Sequence, residues 1–315
     1  MINKIKAVVL GHAIADALGV PVEFCDRSEV DEVPVTDMMG YGTYPYPEGS
    51  WSDDTSMSLC ALDSLSKGSI DYKDIMNNFI KWLSNNDYTP TGEAFDIGRT
   101  CLKSIIMYSQ TKDIETCGRV AEHSNGNGSL MRMHPMTLYL YTRKDMTMDA
   151  KIDVIHKTSA LTHAHNRSKI GCGIYSFVLW ELLNNPDKKS VLEGLQKAKE
   201  YYREYSEIDK YSRIFDKTFI LTKRNDISSS GYVVSTLEAA LWCLLTTNNY
   251  KECVLKAVNL GDDTDTVGAV AGALAGALYG LDTIPEKWLN VLKKKDYIES
   301  MCERAAKSWL INKCN

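Results

Sequence analysis

Several features that would announce a second domain, a membrane span or a metal–thiolate centre are missing from this chain. Its 315 residues include only 8 prolines, and no Pro/Ser-rich linker or internal repeat divides them, so a single domain over 1–315 is expected. The nine cysteines (Cys25, Cys60, Cys101, Cys117, Cys172, Cys243, Cys253, Cys302 and Cys314) are odd in number, and no two stand in C-x-x-C spacing. Free, mostly buried thiols in a reducing compartment follow, rather than disulfides or a zinc site. Basic clusters are scarce too: Lys293-Lys294-Lys295 is the one run of three, and the net charge is −5. That excludes a nucleic-acid surface as the main business of the chain. The longest run of small apolar residues, Val267 to Leu281, is shorter than the roughly 20 residues that cross a bilayer. The apolar N-terminus is interrupted by His12 and Asp16, so no signal peptide is expected. These absences together lead to the expectation of a cytoplasmic monomer with no membrane partner.

Strand-like alternation is also sparse, while helical periodicity recurs from end to end. Apolar residues fall at helical spacing over Met57–Leu65, Tyr72–Leu83, Val233–Leu245, Tyr250–Leu260, Trp288–Leu292 and Tyr297–Leu310. Ile170–Leu183 is apolar nearly all round, which predicts a central helix. An all-α fold, a single compact many-helix bundle, is therefore expected. Residues 185–226 are richer in Lys, Glu, Tyr and Asp and predict a more exposed stretch. Gly40–Ser52, with three glycines, two prolines and three tyrosines, reads as an ordered loop.

What the chain does have is two acidic knots. Ser52-Asp53-Asp54-Thr55 lies near the start, and Gly261-Asp262-Asp263-Thr264-Asp265-Thr266 lies more than 200 residues later. Neither has a Lys or Arg beside it, and clustered carboxylates repel unless something positive sits between them. Oxygen donors without His or Cys favour a hard cation such as Mg²⁺, Mn²⁺ or Ca²⁺. For Ser52-Asp53-Asp54 the plain alternative is a helix N-terminus, with Ser as the cap and the acids complementing the macrodipole. The second knot has more acids than capping needs. Asp263 and Asp265 can converge on one ion, with the Thr266 hydroxyl as a further ligand. The helix that follows carries Gly268, Gly272, Gly276 and Gly280 every fourth residue, a costly pattern that implies close approach of another backbone or a ligand.

Other segments are weaker taken singly. Asp16 and Glu23 are isolated acids in an apolar stretch, Asp16 suited to a buried hydrogen-bonding role and Glu23 to a cleft after its Gly/Pro turn. Asn125-Gly126-Asn127-Gly128-Ser129 could cradle an anion with its backbone N–H groups, or be an Asn-Gly turn. Thr162-His163-Ala164-His165 offers too few nitrogens for zinc, and a histidine in a hydrogen-bond network fits better. Asp96, in Phe95-Asp96-Ile97-Gly98, sits on an apolar background that also suits a structural acid.

In order along the chain these segments resemble the ADP-ribosylglycohydrolase family: Gly11, Asp16, Gly19 and Glu23, then S-D-D-T, F-D-I-G, G-N-G-S-L-M-R, T-H, S-G-Y and G-D-D-T-D-T-V-G-A. The resemblance runs from about Gly11 to Trp288. It implies an all-α fold with two Mg²⁺ or Mn²⁺ ions in a cleft, ligated by Ser52, Asp53, Asp54, Asp263, Asp265 and Thr266. It further implies catalytic carboxylates at Glu23 and Asp96, and a ligand-binding set of Asn125, Gly126, Asn127, Gly128, Ser129, His163, Gly231 and Tyr232. The implied activity is hydrolysis of the bond at ribose C1″ that joins ADP-ribose to a protein side chain or related acceptor. Alternatives are a non-catalytic ADP-ribose-binding relative and a hydrolase of another ADP-ribose-containing metabolite. Two positions depart from the family pattern: Ser52 stands where many members have Thr, and Asp262 where a glycine is common.

Overall fold

The computed structural model describes residues 1–311, so Cys314 lies outside the described residues. Fourteen α-helices joined by loops and short 3₁₀ turns make up these residues, and no strand is found among them. Helices appear where the apolar periodicity predicts them: α3 at Asp53–Leu65, α4 at Tyr72–Asn85, α8 at Asn166–Asn184, α10 at Val233–Leu245 and α11 at Tyr250–Val258. The helices α13, Glu286–Val291, and α14, Lys295–Ile311, close the described chain. Residues 185–226 form one helix, α9 (Lys188–Tyr202), followed by a series of 3₁₀ turns. The eight cysteines described are free, and all except the half-buried Cys25 are buried.

The N-terminal helix α1, Ile2–Gly19, is the spine of the fold. By length and composition Ile2–Val22 could cross a membrane, but 89% of its apolar window is packed inside the protein. His12 and Asp16, which interrupt the apolar run in sequence, are both wholly buried. Asp16 earns its place by bracing another helix. Its Oδ1 accepts the Ser52 N–H at 2.9 Å, and its Oδ2 accepts the Thr55 N–H at 3.0 Å and the Thr55 hydroxyl at 2.6 Å. The two amides among these donors lie at the start of α3 and have no partner within the helix itself.

Antiparallel to α1 runs α12, Thr264–Tyr279. A Cβ added at Gly268 would stand 2.8 Å from the Ala15 carbonyl oxygen, at Gly272 2.3 Å from that of Gly11, and at Gly276 2.0 Å from that of Ala7. The reverse holds on α1, where a Cβ at Gly11 would meet the Gly272 carbonyl oxygen at 2.6 Å and one at Gly19 the Asp265 Cα at 2.3 Å. Backbone lies on backbone along about three turns, which is the close approach that the glycine spacing predicts. Gly280 is the exception to that spacing. It ends the helix at φ +89° with open space around it, so glycine there serves the positive-φ helix end and not a close approach.

The register of this pair delivers the C-terminal end of α1 to the second acidic knot. Thr264 Oγ1 donates to the Gly19 carbonyl at 2.8 Å. Beyond α1 the chain turns through Val20–Val22, and there two residues of left-handed backbone clasp each other. Phe24, at φ +64°, donates its N–H to the Asp262 carbonyl at 2.7 Å, and Asp262, at φ +67°, donates to the Cys25 carbonyl at 2.8 Å. Left-handed backbone is why glycine suits position 262. Asp is among the few other residues that adopt it at low cost, and its side chain here faces solvent.

Two outcomes follow from this packing. Gly272→Ala is expected to lose about 1–3 kcal/mol of stability by overpacking, read as a lower urea midpoint, despite the better helix propensity of Ala. Asp262→Gly is expected to change stability by less than about 1 kcal/mol, whereas Asp262→Val, which resists positive φ, loses more than that; urea unfolding of the pair ranks them.

Candidate active site

The first knot is built as the capping pattern dictates. Ser52 Oγ accepts the Asp54 N–H at 3.2 Å as the N-cap of α3. Asp53 and Asp54 occupy the first turn, where the helix dipole favours acids. The second knot opens α12, with Asp263 as its N-cap. One hydrogen bond joins the two directly: the Thr266 hydroxyl donates to Asp54 Oδ2 at 3.1 Å. Segments 212 residues apart in sequence thus form one surface.

Glu23 completes that surface. Carboxylate oxygens of Glu23, Asp263 and Asp265 all lie within 4.8 Å of one another. Asp96 arrives on the loop before α5 (Arg99–Thr111), itself at φ +62°. A residue without an assigned role in the sequence reading holds it there: Tyr44 donates its hydroxyl to Asp96 Oδ1 at 2.5 Å. Phe95, next to Asp96, packs between the rings of Tyr44 and Tyr46 at centroid distances of 5.0 and 4.4 Å. The tyrosines that mark Gly40–Ser52 as an ordered loop therefore position a carboxylate, a tertiary contact with no local sequence signal.

The electrostatics of this group are severe. Burial above all, then the charges of Asp96 and Asp263, push Glu23 up to about 10. Burial followed by neighbouring carboxylates raises Asp53, Asp54 and Asp265 well above the usual range, and burial raises Asp96 and Asp263 as well. Six acids cannot all be ionised here without a compensating positive charge. Buried oxygens also stand without hydrogen-bond partners: Glu23 Oε2, Asp54 Oδ1, Asp263 Oδ1 and Asp265 Oδ2. Unsatisfied, mutually close, oxygen-only donors fit a hard divalent cation.

Beside the acids opens a cavity of about 360 Å³, within the range of small-ligand sites. Glu23, Asp53, Asp96, Asp263 and Thr266 line one side; Gly126, Asn127, Gly128, His163 and Gly231 line the other. Ser52, Asp54 and Asp265 stand behind that wall. Asn127 ties the two sides together, its amide Nδ2 donating to Asp263 Oδ2 at 2.8 Å and to Thr236 Oγ1 at 2.9 Å. The loop is pinned to the segment before α10 by Asn127 N–H to the Gly231 carbonyl and Val233 N–H to the Asn125 carbonyl, both 3.0 Å. Its glycines make room for neighbours. A Cβ at Gly128 would stand 2.7 Å from Cys101 Sγ and 2.9 Å from the His163 ring, and one at Gly231 2.8 Å from Asp263 Oδ2.

Three residues from the sequence-based set lie away from the cavity. Asn125 is buried, its Oδ1 accepting from Ser168 Oγ at 3.0 Å. Ser129 is buried against Ser159 Oγ at 2.9 Å. The half-buried Tyr232 has the Arg167 guanidinium 5.8 Å from its ring centroid. His165 caps α8, accepting the Arg167 N–H, while His163 faces the cavity; the two imidazoles do not form a common site. The lining also includes residues that sequence reasoning missed, among them Phe24, Arg99 and Cys101. Phe24 is 66% exposed, an aromatic at the mouth whose left-handed backbone a single sequence does not reveal.

Comparison with known proteins agrees with this geometry. The ADP-ribosylglycohydrolase family model matches residues 1–313. The chain is 32% identical over 314 residues to the ADP-ribosylarginine hydrolase Tri1 of Serratia proteamaculans, covering 96% of this chain and 79% of that one. It is 31% identical to the ADP-ribosyl-[dinitrogen reductase] glycohydrolase of Rhodospirillum rubrum, covering 93% and 91% of the two chains. A solved structure described as an ADP-ribosylglycohydrolase-related protein complex superposes with a TM-score of 0.82 at 29% identity, over 98% of both chains. With the acidic knots, the glycine loop and the all-α frame in the expected order, the chain belongs to the ADP-ribosylglycohydrolase family.

Proposed function

We propose that this protein hydrolyses the bond at ribose C1″ that joins ADP-ribose to an arginine side chain, with two Mg²⁺ or Mn²⁺ ions in the acidic cluster. The observation that carries the reading is the set of unpartnered, buried carboxylate oxygens of Glu23, Asp54, Asp263 and Asp265 beside a ligand-sized cavity. The arginine acceptor is supported by the two relatives at 32% and 33% identity that are named ADP-ribosylarginine hydrolases.

Ser52, Asp53, Asp54, Asp263, Asp265 and Thr266 would hold the ions, with Glu23 close by. Bound there, the cations would neutralise the carboxylates and polarise hydroxyls of the ribose. The chain's own groups do the rest. The Gly126–Gly128 backbone, bare of side chains, lets phosphate or ribose oxygens approach closely. Asn127 keeps that loop in register with Asp263. Cleavage at an anomeric carbon develops oxocarbenium character, and the surrounding acids stabilise positive charge on the sugar. Asp96 is the group that takes a proton from the attacking water. It lies outside the triad of Glu23, Asp263 and Asp265 but lines the same cavity, and the Tyr44 hydroxyl holds its Oδ1.

Asp96→Asn is expected to lower kcat by about 10²–10⁴-fold on arginine-linked ADP-ribose while ADP-ribose binding by calorimetry is kept. A larger kcat loss in Glu23→Gln than in Asp96→Asn would transfer the role to Glu23. A panel of arginine-, serine- and nucleic-acid-linked conjugates tests the acceptor, and turnover of none of them rejects the activity. Mg²⁺ or Mn²⁺ at about 100 times its Kd is expected to add ~2.7 kcal/mol of stability, read as a higher Tm, which Asp263→Asn diminishes and EDTA removes together with activity.

A further inference from the structure

Arg132 is a wholly buried cation without an acid. It is 0% exposed, and among the described residues no carboxylate forms an ion pair with it. Its guanidinium lies over the Phe79 ring at 5.1 Å. Both Nη atoms donate to the Thr158 carbonyl at 3.3 Å, Nη2 also donates to Thr162 Oγ1 at 2.8 Å, and Nε has no partner. Keeping an unpaired charge in such a place is expensive, and nothing in the reaction outlined above employs it directly.

What it does reach is the neighbour of His163. Thr162 Oγ1 lies 2.9 Å from His163 Nδ1. An arginine N–H can only donate, so one lone pair of the threonine oxygen is taken and its single proton is free to go elsewhere. Of the groups around that hydroxyl, His163 Nδ1 is a strong acceptor and the Cys101 thiol a weak one. A hydroxyl that gives its proton to Nδ1 requires Nδ1 to be unprotonated, which leaves the imidazole proton on Nε2. The nearby guanidinium charge opposes a second proton on the ring. Nε2 is also the edge that faces the cavity: it would stand 3.6 Å from a Cβ at Gly126 and 3.5 Å from one at Gly128. The rest of the segment is rigidly held, with Thr162 O accepting from Arg119 N and Ser104 Oγ and the His163 N–H bonded to the Ser159 carbonyl.

We infer that Arg132 is a positioning residue which, through the Thr162 hydroxyl, fixes His163 as a neutral Nε2–H donor aimed into the cavity, where it meets an oxygen of the bound ADP-ribose conjugate. This deepens the proposed function and rests on it only for the identity of that oxygen's owner. The direction of the His163 shift, down to about 3 through burial and then the Arg132 charge, accords with a ring that stays neutral.

The test is the long-range ¹H–¹⁵N spectrum of the full chain labelled in its 6 histidines, with His163 assigned by a His163→Gln variant. Wild type is expected to give one His163 pattern, Nε2 protonated and Nδ1 bare. Thr162→Val removes the hydroxyl link and is expected to give a tautomer mixture, with KM on arginine-linked ADP-ribose raised about tenfold, the size of one lost hydrogen bond, and kcat little changed. Thr162→Ser restores both. A protonated Nδ1 in wild type, an unaltered pattern in Thr162→Val, or a lost tautomer with no change in KM overturns the inference. If Thr162→Val does not fold, the wild-type and Thr162→Ser spectra decide alone. Wild type inactive on every conjugate yet showing the Nε2–H pattern would reject the proposed activity and leave the relay standing.

Discussion

Everything in this structure depends on two helices meeting without side chains between them. At Gly11, Gly19, Gly268, Gly272 and Gly276 the gap between α1 and α12 is too narrow for a methyl group. Contact at that range has little tolerance: a helix cannot slide by a turn without driving a Cβ into a carbonyl oxygen. The antiparallel register is therefore fixed by sterics, and the ends of the two helices carry the chemistry. Asp16, Glu23, Thr264 and Asp265 are placed by the same contact that places Ala7 against Gly276. The glycines of α12 are thus the reason that the acids after α1 and those opening α12 share one site.

A second constraint follows from the first. Fixing several carboxylates in so small a volume opposes folding unless their charge is answered, and hydrogen bonds answer only part of it. Asp16 is satisfied by three donors around the α3 N-terminus, so it acts as structure. Asp54, Asp263 and Asp265 each keep one oxygen bare. The distinction between an acid that organises the protein and one that awaits a ligand is written in those hydrogen bonds rather than in residue type.

Much of this was legible in the sequence, where the signal is local or periodic. Val233–Leu245 is a helix with those same bounds, because an apolar repeat at helical spacing needs only neighbours in sequence to declare itself. The glycine spacing announced close approach, and α1 supplied it. Asp262 was visible as a departure, though its reason, a left-handed backbone paired with Phe24, was not. Residues that act across the fold left no trace. Tyr44 reads as one tyrosine among several in a loop, and its hold on Asp96 exists only once the loop before α5 is folded beside it. Arg132, at the end of a glycine-rich segment, looks like an ordinary surface arginine until its burial is seen. Gly280 continues the glycine repeat for a different reason, a positive-φ helix end, and spacing alone does not separate the two uses of glycine.

The order of synthesis gives the α1–α12 contact another meaning. Gly19 and Thr264 are bonded across 245 residues, and a ribosome adding about 5–20 residues per second takes on the order of tens of seconds to span them. Throughout that interval α1 exists without its partner. Apolar enough over Ile2–Val22 to be mistaken for a membrane segment, it must be sheltered by the helices already made or by a chaperone. Nascent chains therefore have no acidic site to offer a cation or a substrate. The acids can share one site only after α12 has emerged and packed against the first helix.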